Sequence, residues 1–156
     1  MITSTIIILH FVGILTLLSY IYYLPKTDKK KITAGMSKRL STYSLVSVCV
    51  AIFSYIYIMY NLSEIKDENS LWLVHVFIIL FLIFSSLWAP SLYYNYKIIT
   101  TLSLIAVSIC SIGFFYILFI NKRFKNNLLL LIVSIYLIFH TLIVDGVIWN
   151  YFSLMQ

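Results

Sequence analysis

Charge is scarce in this chain. Lys, Arg, Asp and Glu make up 10% of its 156 residues, while 62% are hydrophobic. A soluble domain of this length keeps roughly a third of its unfolded surface in water. It cannot hide so much apolar side chain, whereas a bilayer can. Cysteine is nearly absent. Cys49 and Cys110 each sit mid-way along an apolar run, with no C-x-x-C and no Cys/His cluster. That excludes a disulfide framework and offers no zinc site; both read as small buried hydrophobes. Four glycines and two prolines include no Gly-rich phosphate loop, and neither H-E-x-x-H nor a filter sequence like T-V-G-Y-G occurs. No catalytic array, metal site or cofactor is expected. Eleven Lys and Arg exceed five Asp and Glu, for a net +6, but all eleven lie in four connecting stretches. The excess belongs to loops rather than to one basic face, so no nucleic-acid partner is expected.

What is present is a set of five long apolar runs, at about 2–24, 42–60, 71–89, 98–120 and 128–149. At 1.5 Å per helical residue each approaches or exceeds the ~30 Å of bilayer hydrocarbon. The expected fold is all-α: a polytopic integral membrane protein, one domain over 1–156, built as a bundle of five transmembrane helices. Pro25 and Pro90 should end the first and third runs, and Ala34-Gly35 should loosen the basic linker between Pro25 and Leu40.

Lys and Arg bias sets the orientation. No basic residue precedes the first run and six follow it, the reverse of a cleaved signal peptide. Those six and Lys97 make seven on one side, against four at Lys66, Lys122, Arg123 and Lys125. The N-terminus is therefore expected outside and the C-terminus in the cytoplasm. Trp88 with Tyr93 and Tyr94, and Trp149 with Tyr151, should mark the inner interface. Asn61-Leu62-Ser63 matches an N-glycosylation acceptor on the outer side.

The second and fourth runs resemble one another at an offset of 59 residues, Ser44 over Ser103 and Tyr57 over Tyr116. With the third and fifth runs each ending near a Trp, this suggests a duplicated two-helix hairpin, helices 2–3 and 4–5. Small residues recur at Ser44, Ser47, Ala51 and Ser54, and again at Ser103, Ala106, Cys110 and Gly113. Spacings of three, four and three put each set on one helical face, where backbones can approach closely. The second and fourth helices are therefore the expected inner pair.

Asp145 is the one formally charged residue inside any apolar run. A carboxylate at membrane depth costs on the order of 2.5–3.5 kcal/mol on insertion scales, so it faces protein, water or a partner. Thr141, one turn earlier, can donate to it. His140 lies five residues away, which in an α-helix is about 140° round the axis and off the shared face. His10 and His140 lie deeper in their runs, so His10, His140 and Asp145 form a staircase rather than a cluster. Three functional classes follow. A structural or assembly component of a membrane complex is preferred, with the bilayer and other membrane subunits or further copies of itself as partners. The alternatives are a small oligomeric channel or transporter with a proton or ion path through His10, His140 and Asp145, and an intramembrane lipid- or sterol-modifying enzyme.

Overall fold

The computed structural model describes residues 2–62, 68–120 and 127–155, with side chains from 8 onward except at 10 and 68–70. The cationic segment with Lys122, Arg123 and Lys125, Lys66, and Ser63 of the acceptor triplet fall outside the described residues. Among the described residues seven α-helices follow in order: α1 (Ile2–Tyr23), α2 (Lys29–Ile32), α3 (Lys38–Asn61), α4 (Glu68–Tyr93), α5 (Lys97–Ile120), α6 (Leu128–Phe139) and α7 (Asn150–Leu154). A ten-residue π-helix, His140–Trp149, joins α6 to α7 as one continuous rod. Four helices are long and apolar enough to cross a membrane: Lys38–Asn61, Leu71–Tyr93, Lys97–Ile120 and Leu128–Leu154. The chain is thus an all-helical integral membrane protein.

Pro90 does not end the third helix, contrary to expectation; α4 runs through it to Tyr93. A proline inside a helix leaves the carbonyl four residues back without its N–H. Here that carbonyl is Ser86, and the Ser19 hydroxyl of α1 donates to it at 2.9 Å. Two neighbouring α4 carbonyls also accept from α1: Ser85 from the Tyr20 hydroxyl at 3.0 Å and Leu82 from the Thr16 hydroxyl at 3.1 Å. A row of α1 hydroxyls therefore satisfies the break and docks α1 on α4.

The basic linker is folded as well. Asp28 caps α2 by accepting from the Lys30 amide at 2.8 Å, and Ser37 caps α3 through the Leu40 amide. Between them Ala34 and Gly35 take φ of 48° and 67°, the left-handed turn that closes α2. Ala34 and Met36 are buried against Leu92, Leu104 and Trp149. The Trp149 indole donates to the Ile32 carbonyl at 2.9 Å, so the linker caps one end of the bundle instead of swinging free.

The helices pack in the order α1, α4, α5, then the α6–π rod, with α3 packed mainly on that rod and sharing the core with α4 and α5. The small-residue faces divide here. α5 is the most enclosed of the four spans, with Ser103 and Cys110 buried and Ala106 half-buried. Gly113 lets the Phe77 ring of α4 lie where a Cβ would stand. On α3, Ser47, Ala51 and Ser54 are buried and Ser44 half-buried, yet α3 is the least enclosed of the four spans. It lies mainly along the α6–π rod rather than against α5, touching α4 through the stacked rings of Tyr55 and Phe81. A duplicated hairpin would pair α3 with α4 as α5 pairs with the last rod, and the packing does not repeat in that way.

Candidate functional site

The π-helix changes what the sequence spacing means. Its backbone bonds run from residue i to i+5, so residues five apart stack on one side. His140 and Asp145, held apart by α geometry, come together: Nε2 of His140 lies 3.3 Å from Oδ2 of Asp145. The expectation that they occupy different faces is corrected by the local helix type.

Side-chain bonds compete with the regular ladder where α gives way to π. The Thr141 hydroxyl donates back to the Leu137 carbonyl at 3.0 Å, and Ser108 of α5 reaches the Thr141 carbonyl at 2.6 Å. Ser111 also bonds the Thr141 hydroxyl at 2.7 Å. Thr141 is thus tied to α5 and to its own preceding turn, not to Asp145 as its spacing suggested. Gly146 makes the arrangement possible, since a Cβ there would stand 2.9 Å from the Ser108 hydroxyl oxygen.

From His140 the polar chain continues across to α3. Its Nδ1 lies 2.8 Å from the Ser47 hydroxyl, and the Tyr136 hydroxyl, one turn earlier on α6, donates to Ser47 at 2.9 Å. Ser47 has one hydrogen to give. If Ser47, accepting from Tyr136, gives that hydrogen to Nδ1, the ring proton sits on Nε2, on the side of the Asp145 carboxylate. Tyr136, Ser47, His140 and Asp145 then lie in one polar row, hydrogen-bonded from Tyr136 through Ser47 to His140 and continued by the ion-pair contact to Asp145, on the order of 10 Å long along the rod. The His140–Asp145 contact is its longest link, beyond the usual range for an N–H···O bond.

Ser47 and His140 are the buried members of this chain, with Tyr136 and Asp145 half-buried at its ends. The His140 side chain is 5% exposed and that of Asp145 23%. Tyr20 of α1 lies within electrostatic reach of Asp145. Toward α7, Trp88 and Trp149 meet edge to face at 6.0 Å. The Trp88 indole nitrogen and the Asn150 side-chain oxygen are buried with no hydrogen-bond partner among the described residues. Trp149 is buried, so it anchors the linker and does not face lipid as a belt residue would.

Of the four predicted polar residues, the structure joins His140 to Asp145, turns Thr141 to α5, and leaves the His10 side chain outside the described residues. Two members of the chain escape sequence reasoning. The spacing of Ser47 points to packing alone, and Tyr136 is visible only as the residue one turn before His140. Among the described residues no three His, Cys, Asp or Glu side chains gather as a metal site. Asn61 is buried and its amide donates to the Tyr57 carbonyl at 2.8 Å, an engaged group rather than a presented acceptor. The chain matches no family model, no curated protein and no solved structure.

Proposed function

We propose that this protein moves protons within the membrane, as a small channel or transporter, through Tyr136, Ser47, His140 and Asp145. The observation that carries the reading is the row of polar side chains around a buried histidine whose two ring nitrogens face different partners. Such a ring can take a proton on one nitrogen and release one from the other. A π segment is uncommon and recurs at functional sites, and ionisable groups at membrane depth commonly mark ion paths. Asp145, more exposed than His140, is the port; Tyr136 is the far end. In this reading α1 is a fifth span: its 22 residues cover ~33 Å. The N-terminus then lies outside and the C-terminus in the cytoplasm, following the charge bias.

The test is proton flux into liposomes holding the purified full chain, followed with an enclosed pH dye. Asp145→Asn keeps size and much hydrogen bonding but cannot titrate, and Ser47→Ala cuts the chain at its middle. Both should abolish flux in protein that still folds. Flux that survives Asp145→Asn, or a wild type that passes none, sinks the relay.

A second reading, as a subunit of a membrane complex or a homo-oligomer, is favoured by α3. It packs mainly along one rod and turns Tyr43, Leu45, Phe53 and Ile56 outward. Copy number by mass photometry in nanodiscs, with and without host membrane extract, distinguishes a self-sufficient unit from a subunit.

A further inference from the structure

At the capped end of the bundle a crevice of about 50 Å³ opens between the linker, the turn joining α4 to α5, and α7. Its polar lining is Lys31, Ser91, Asn95, Lys97, Thr100 and Ser153. No carboxylate is among the lining residues. The floor is preset: Thr100 donates to Ser91 at 2.8 Å, and Ser91 donates to the Trp88 carbonyl at 2.8 Å. Those two hydrogens are spent inside, so the donors left for a guest are the ammonium groups of Lys31 and Lys97, the Asn95 amide and the Ser153 hydroxyl. They come from three segments, α2, the α4–α5 turn and α7, the first two of them pinned. Trp149 pins α2 through the Ile32 carbonyl, and Asn95 sits at φ 63° in a turn closed by the Tyr96 amide on the Ser91 carbonyl at 2.8 Å.

We propose that this crevice binds a phosphate oxyanion. Two cationic and two neutral donor side chains lining so small a volume match a tetrahedral anion with several acceptor oxygens. The crevice lies at the end of the spans Leu71–Tyr93 and Lys97–Ile120, with Tyr93, Tyr94 and Tyr96 in the adjoining turn. That is headgroup depth, where basic pockets between helices hold anionic lipid. The phosphate of an anionic phospholipid and free inorganic phosphate share this chemistry.

The experiment is native mass spectrometry of the full chain from micelles doped with phosphatidic acid or, separately, with phosphatidylcholine. Phosphatidic acid should be retained as one copy in preference to phosphatidylcholine. Lys31→Gln and Lys97→Gln should each weaken retention about five-fold, the scale of one basic side chain at an anionic surface. Lys38→Gln, on the same linker but outside the crevice, should leave it unchanged. Competition by millimolar inorganic phosphate assigns the site to the free ion, and persistence assigns it to lipid. Equal loss in Lys38→Gln, or no preference for phosphatidic acid, overturns the proposal, because diffuse surface charge would then suffice. Lys97 is exposed and Lys31 half-buried, so neither change removes a core contact.

Discussion

The Ser19 hydroxyl occupies the bond that Pro90 denies to Ser86, a helix defect in α4 satisfied by a side chain of α1. The pairing predicts a non-additive mutant cycle. Ser19→Ala alone should cost ~0.6–1.7 kcal/mol, the scale of interhelical hydrogen bonds in membranes. In a Pro90→Ala background the restored backbone amide can bond the Ser86 carbonyl, and the cost of Ser19→Ala should fall toward zero. Unfolding in mixed SDS micelles measures both. Equal costs in the two backgrounds would show that Ser19 is not filling the gap.

Gly146 and Ser108 should also be coupled. Adding a methyl at Gly146 places a Cβ against the Ser108 oxygen and the Thr141 carbonyl. Overpacking of this kind typically costs ~1–3 kcal/mol. Ser108→Ala should recover part of that loss, because it removes the atom in the way. Stability of the two single variants and the double variant in the same titration decides it. An additive double variant would place the clash elsewhere.

Trp149 ties the linker to the bundle through one indole bond and its ring contacts. Trp149→Phe keeps an aromatic ring beside Trp88 but cannot donate to Ile32. The expected loss is about 1 kcal/mol, the net scale of one hydrogen bond. Tryptic cleavage should rise at Lys29, Lys30 and Lys31, which α2 otherwise keeps helical. Unchanged cleavage would mean that burial of Ala34 and Met36 holds the linker alone.

How far the sequence speaks for this fold depends on which interactions are local. The long helices follow from apolar run length, while the N-caps Asp28, Ser37 and Asn127 fix starts that run length alone leaves open. The buried side of α3 follows from small-residue spacing. Pro90 misleads, because its rescuer Ser19 is 67 residues away from Ser86 and no local rule reveals it. The His140–Asp145 pair misleads for a related reason. A spacing of five is off-face in an α-helix, and the turn to π geometry is met at Thr141 by Ser108 and Ser111 of another helix, which no local rule reveals. Asp145 itself is legible, since one carboxylate in five apolar runs needs a partner wherever it sits.

Ser47 allows the structural and the proton-moving roles of the polar chain to be separated. Its hydroxyl joins Tyr136 to His140, so Ser47→Ala removes two bonds and leaves Nδ1 of His140 and the Tyr136 hydroxyl facing a methyl group. Stability should fall by ~1–3 kcal/mol, since each buried group loses its partner. Ser54, buried on the same face of α3, makes no such link among the described residues, and Ser54→Ala should be nearly neutral. Ser47→Thr restores the hydroxyl with one extra methyl and should recover most of the stability. If the chain only fastens α3 to the rod, Ser47→Thr and Asp145→Asn will both fold and flux will not distinguish them. If it carries protons, Ser47→Thr keeps flux while Asp145→Asn loses it, because only the second removes a titrating group. Equal flux in two well-folded variants would therefore leave the chain a fastening and nothing more.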